Sequence, residues 1–175
     1  LTDAPDRMAG LARPMQHALN NFFMVLQVNL ESVANTLPPE DKSALRMARA
    51  QQGMKEMEAL LRSYFRLGRP QEQAETDSGR FLEAVRPVLA LAVKKPLKME
   101  IRATAPVRPG RPEVDLALLD LVMPAGDLPH GVPLLLLDGR NITVNWPTDD
   151  ATEAALRAAG LAVHRGAAET RVELP

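Results

Sequence analysis

The stretch 13-RPMQHALNNFFMVLQVNLE-31 decides how the chain is read. Apolar residues recur at Met15, Leu19, Phe22, Leu26, Leu30 and Val33, every third or fourth position, which is the period of an amphipathic helix. On that helix His17 and Asn21 are four apart and share a face. An imidazole one turn from a carboxamide, on an otherwise greasy helix, suits a phosphoacceptor. Pro14 either kinks the helix against the Gly10 carbonyl or marks a start near Arg13. The helix is expected to reach about Asn35.

Outward from this stretch, Leu37-Pro38-Pro39-Glu40-Asp41 is a stop. Residues before proline leave the α region, and Asp41 can cap the next helix. That second helix is predicted over residues 42–67, with Leu45, Ala48, Met54, Met57, Leu61, Tyr64 and Phe65 on its apolar side and Gly68 as its C-cap. The short loop makes the pair an antiparallel αα-hairpin. Helix 1 is too apolar over Phe22, Phe23, Val25, Leu26 and Val28 for one partner to cover. Two hairpins pairing into a dimeric four-helix bundle would cover it, as would the rest of the chain in cis.

The composition agrees with a helical first part and a different second one. Hydrophobic residues make up 46% of the 175 residues but aromatic ones only 3%, so the core is aliphatic and Met-rich. The net charge of −1 offers no general attraction to nucleic acid or to an anionic membrane. There is no cysteine, so no disulfide framework and no thiolate metal site. No apolar run approaches a membrane span, and the opening LTDAPDRMAG lacks the basic and apolar regions of a secretory signal; a cytoplasmic setting is expected.

Residues 69–79 read as a polar linker, and 11 of the 15 prolines fall after residue 68. Beyond the linker come a helix over 80–94 with Pro87 inside and a strand over 97–103. A proline-rich loop and a short buried helix over 114–123 come next. Strands over 133–137 and 141–146 are joined by Asp138-Gly139, a hairpin signal. Asp149 or Asp150 caps a helix ended by Gly160, and strands close the chain at 161–164 and 170–174. This order suits an α+β sandwich, a mixed sheet with helices on one face. The expected organisation is a helical hairpin domain over 1–70 and an α/β domain over 78–175. His130 and His164 read as ordinary, and the basic residues from Lys94 to Arg111 as solvated surface. No metal spacing, P-loop, GxSxG or GxGxxG occurs.

The run His17-Ala18-Leu19-Asn20-Asn21 with Asn29-Leu30-Glu31 resembles the phosphoacceptor helix of sensor histidine kinases. Residues 80–123 and the closing Glu169–Pro175 resemble parts of that family's ATP-binding domain. Three departures matter. The acid that comes after the histidine in those kinases is Ala18 here. The two asparagines of their nucleotide helix align with Asp120 and Pro124, and proline offers a hard cation no side-chain oxygen. Their glycine-rich loops and nucleotide lid are missing. The resemblance therefore points to the histidine phosphotransferase family: a dimeric four-helix bundle followed by a degenerate ATPase-like domain.

The resemblance implies a phosphorelay protein of a bacterial two-component system. His17 would pass a phosphoryl group between receiver-domain aspartates, assisted by Asn21 and Arg13. Phe23, Met24 and Gln27 would dock the partner, unless Phe23 and Met24 are core. The implied partners are response-regulator receivers and a hybrid histidine kinase. No cofactor is implied, neither ATP nor a metal of the chain's own, since the receiver brings the magnesium. The rival readings are a non-catalytic adaptor or inhibitor, and a phosphatase of a response regulator.

Overall fold

In a computed structural model, residues 4–69, 72–93, 95–128 and 131–175 are described, with side chains from Pro14 onward. The chain is α+β and divides into two compact units, Leu1–Arg69 and Pro70–Pro175.

The first unit is two packed helices, α1 over Ala4–Ala34 and α2 over Lys42–Arg66. α1 starts nine residues before Arg13 and runs on through Pro14. Proline removes one backbone donor, and a helix of 31 residues retains the bonds on either side of the gap. Asp41 caps α2, accepting from Ser43 N at 2.8 Å, and that bond holds its carboxyl below the ordinary carboxylate range. Gly68 is not the left-handed cap the sequence suggested. Among the described residues positive φ occurs at Gly131, Gly139 and Gly160, and α2 ends in tight turns instead: Leu67 N to Tyr64 O at 3.1 Å and Gly68 N to Phe65 O at 3.3 Å.

Phe23 and Met54 are the buried apolar side chains described in this unit. Leu19, Leu30, Met47 and Leu61 are half-buried. Met15, Phe22, Leu26 and Val33 on α1 and Met57 and Tyr64 on α2 are exposed, Phe22 by 65%. Helical geometry opens both exposed stripes on one side of the hairpin.

The second unit opens with β1, Glu72–Gln73, and β2, Thr76–Asp77. Helix α3 over Ser78–Val93 is next, then β3 over Lys98–Thr104, β4 over Pro106–Val107 and β5 over Gly110–Arg111. After these come α4 over Glu113–Val122, a 3-10 turn to Asp127, β6 over Leu134–Gly139 and β7 over Asn141–Val144. Helix α5 over Asp150–Ala158, β8 over Ala162–Arg165 and β9 over Thr170–Glu173 complete it.

The mixed sheet has the order β3-β6-β7-β9-β8, with β3 parallel to β6 and every other pair antiparallel. The stretch read as a linker is part of this unit: β1 pairs with β5 and β2 with β4, inside the expected loop. Two-residue strands leave no period to read. Asp77 explains why α3 starts before Arg80. A hydrogen bond from the Thr104 hydroxyl, with a second from Arg80 N at 3.1 Å, keeps its carboxyl pKa below the ordinary value.

Leu135, Leu137, Ile142, Val144, Val163 and Val172 point to one face of the sheet, in register across the strands. They meet Phe81, Leu82, Val85 and Leu89 of α3, Leu118 and Leu121 of α4 and Leu156 of α5 in one core. Trp146 is fully enclosed there and its Nε1 donates to Leu121 O at 3.0 Å. The β6–β7 hairpin turns one residue later than the Asp-Gly signal suggested: Asp138 still pairs with Asn141, and the two-residue loop is Gly139, φ +63°, with Arg140. Asp149 rather than Asp150 caps α5, accepting from Thr152 N at 2.7 Å. Among the described residues no helix is long and apolar enough to cross a membrane.

Candidate functional site

His17 is exposed near the middle of α1, and Asn21 is exposed one turn further on. Successive residues rotate by about 100° on a helix. Met24 and Val28 therefore continue the same stripe, at seven and eleven residues from the histidine, and both are exposed, by 61% and 59%. The stripe turns away from the open apolar side that carries Phe22 and Leu26. One helix thus presents two separate outward faces: one purely apolar, the other an imidazole and a carboxamide flanked by methionine and valine.

The remaining candidate residues divide. Gln27 is exposed, and its Nε2 donates to Glu31 Oε1 at 2.8 Å, which steadies the amide along the helix. Phe23 is 6% exposed and belongs to the hairpin interior, so it is no part of an exposed docking patch. It lies a third of a turn from Met24, on the side that α2 covers, and the sequence alone could not tell the two apart. The Arg13 backbone lies in α1, but its side chain falls outside the described residues.

A contact that the sequence did not signal joins the two ends of the hairpin. Arg69 Nη2 donates to Gln16 Oε1, across 53 residues of chain, and both side chains are half-buried. It follows from the antiparallel packing, which sets the end of α2 level with His17.

In the second unit, Asp120 and Pro124 line an open cavity of about 380 Å³ with Met123, Ala151 and Thr152. Asp120 supplies the one carboxylate of that lining. Among the described residues no three His, Cys, Asp or Glu side chains group as metal ligands. His164 is exposed on β8, and His130 lies outside the described residues.

A second feature missed at the sequence level is a buried ion pair. Arg111 Nε donates to both oxygens of Asp115, at 3.0 and 2.8 Å, and its Nη2 also donates to that carboxylate. The guanidinium carbon sits 5.2 Å from the centroid of the Phe81 ring. The spacing of four on α4's approach was the available signal, but the basic residues there read as solvated.

No protein-family profile matches the chain, and no curated protein matches it. Among solved structures the chain is similar to one described as a bacterial phosphotransferase. The match covers 100% of this chain and 98% of that one, with 14% identity and a TM-score of 0.37. At that identity and score, function is argued from the residues themselves.

Proposed function

We propose that this chain is a histidine phosphotransferase of a two-component phosphorelay, carrying a phosphoryl group on His17 between receiver-domain aspartates. The observation that supports this reading is the exposed imidazole one turn from an exposed asparagine, on a face of α1 separate from the Met15, Phe22, Leu26 and Val33 stripe.

A neutral imidazole is a competent nucleophile near neutral pH. Its unprotonated ring nitrogen attacks the phosphorus of an aspartyl phosphate. The N–P bond forms, the acyl O–P bond breaks, and the receiver's aspartate leaves as carboxylate. The return step to a second receiver reverses these bonds. Both bonds are energy-rich, so the exchange needs positioning and charge neutralisation more than a strong base, with magnesium supplied by the receiver. This is why Ala18, in place of an acid, is compatible with relay. In this reading Asn21, one turn from His17, donates to a phosphoryl oxygen on it. Met24, Gln27 and Val28 provide an apolar and adaptable surface for the receiver beside it. Pro124 in the second unit offers a magnesium ion no side-chain oxygen, and no step of the relay uses a nucleotide.

The relay is tested with two receivers, the first carrying labelled aspartyl phosphate. Label reaching the second receiver only when this chain is present supports relay. Loss of label to inorganic phosphate would favour a phosphatase, and retention on the first receiver would favour an adaptor.

The open apolar side of the hairpin supports a homodimer, since a contiguous exposed stripe of Met15, Phe22, Leu26 and Val33 is costly in water and marks an interface. Pairing through it leaves both His17 rings outward. Light scattering is expected to give twice the protomer mass, and Phe22→Glu to give the protomer. A wild-type protomer mass at micromolar concentration would overturn the bundle.

A further inference from the structure

The apolar side of the hairpin names a face for a second copy but not the point of closest contact. We infer that Gly53 is that point, a recess in α2 that a helix of the second copy fills, an inference that rests on the homodimer reading above.

Gly53 lies in the middle of α2 and is exposed, and a Cβ built on it would meet nothing within 4 Å. Its φ is not positive, so the backbone does not require glycine there. Glycine inside an exposed helix is disfavoured against alanine by about fivefold. Among the described residues of a single chain nothing offsets that penalty.

The surroundings of Gly53 supply the reason. Gly53 and Leu60 are seven apart, as are Met57 and Tyr64, and the two pairs interleave at spacings of four and three. Phe22 and Asn29 interleave with Leu26 and Val33 on α1 in the same way. A repeat of seven on a helix is met by another helix wound around it. Both seams lie on the open side of the hairpin, where Phe22, Leu26, Met57 and Tyr64 are exposed.

Two features make the occupant a second copy of this chain. None of these seam residues is charged, so a two-fold axis through the face brings no like charges together. The face also holds both shapes that a knob-into-hole contact needs: protruding Phe22 and Leu26, and the recess at Gly53. Two copies about a two-fold axis seat one's protrusions in the other's recess. Asn29 is compatible with this cover, because its Nδ2 already donates to Val25 O of its own helix at 2.8 Å.

The test uses the full chain and sedimentation equilibrium over a series of concentrations. Gly53→Ala is expected to raise the dissociation constant of the dimer about tenfold and Gly53→Leu about a hundredfold, the scale of overfilling a packed seam. Gln52→Leu adds the same side chain one position away, on another side of α2, and is expected to leave the constant unchanged. Circular dichroism should not change, because a Cβ at Gly53 has room within one chain. In the Phe22→Glu protomer the sign reverses: Gly53→Ala is expected to favour the folded state by about fivefold in denaturant titration. A wild-type dimer that Gly53→Leu leaves equally tight overturns the inference and spares the homodimer. A wild-type protomer overturns the homodimer reading and this inference with it.

Discussion

His17→Asn is expected to abolish phosphoryl acceptance, by a factor of about 10³ or more, while leaving helix content and oligomeric state unchanged. The size of the effect comes from the covalent role. Without a nucleophile no phosphoramidate bond can form, and no neighbouring group replaces it, since Ala18 has no functional side chain and Asn21 is an amide. The absence of a structural penalty comes from geometry. His17 is exposed on α1, and replacing an exposed helical residue with asparagine costs no more than a few tenths to about 0.7 kcal/mol in propensity. Asn21→Ala separates the assisting role from the covalent one. It removes a donor to the phosphoryl, so a loss of about ten- to a hundredfold in transfer rate is expected, with the phosphohistidine still formed. Measuring transfer by rapid quench for both variants, beside their circular dichroism, checks the pair. A His17→Asn chain that relays like wild type would mean the imidazole is a bystander.

The largest expected effect on stability belongs to Asp115. Its side chain is 1% exposed and that of Arg111 15%, so the ion pair is taken almost wholly out of water. Such a pair contributes little net stability, because desolvation offsets most of the attraction, but breaking it leaves a charge buried without its partner. Asp115→Ala strands the Arg111 guanidinium against the Phe81 ring and is expected to cost about 3–5 kcal/mol in chemical denaturation of the second unit. The double replacement Arg111→Met with Asp115→Leu removes both charges and fills similar volume. It is expected to be far less destabilising than Asp115→Ala alone, and the double-mutant cycle reads the coupling directly. A cost under about 1 kcal/mol for Asp115→Ala would mean that water or another group reaches Arg111. Because the pair ties the start of α4 to α3, its loss should melt the second unit before the hairpin.

The parts of this protein that were legible in its sequence are those where one local rule acts alone. The spacing of apolar residues gave α1 and α2, Asp41 and Asp149 marked helix starts, and Asp138-Gly139 marked the β6–β7 turn to within one residue, because period, cap chemistry and turn chemistry are each written in a few adjacent residues. The strands β1, β2, β4 and β5 were not legible. They are two residues long, and distant pairing partners such as Arg111 for Glu72 and Val107 for Thr76 fix them. Pro14 misled in one direction: it read as a break or a beginning, whereas α1 extends to Ala4.

The candidate site shows the same division. His17 and Asn21 could be found because four residues on a helix make one face. Phe23 and Met24 could not be assigned, since adjacent apolar residues differ only in which way the helix turns them, and packing against α2 decides it. Gln16–Arg69 and Arg111–Asp115–Phe81 were missed because tertiary packing creates them. In each case a polar or charged side chain has a partner that is close in space and inconspicuous in sequence, and Arg111 was taken for surface.

The most direct measurement locates the phosphoryl group in the wild-type chain. The protein is mixed with a receiver carrying labelled aspartyl phosphate and magnesium, quenched in alkali within the first turnover, and digested for mass spectrometry. Label on the peptide containing His17, stable to base and lost in acid, is the predicted result. Label on any other residue, or none on this chain while the receiver's phosphoryl is discharged, would contradict a relay through His17.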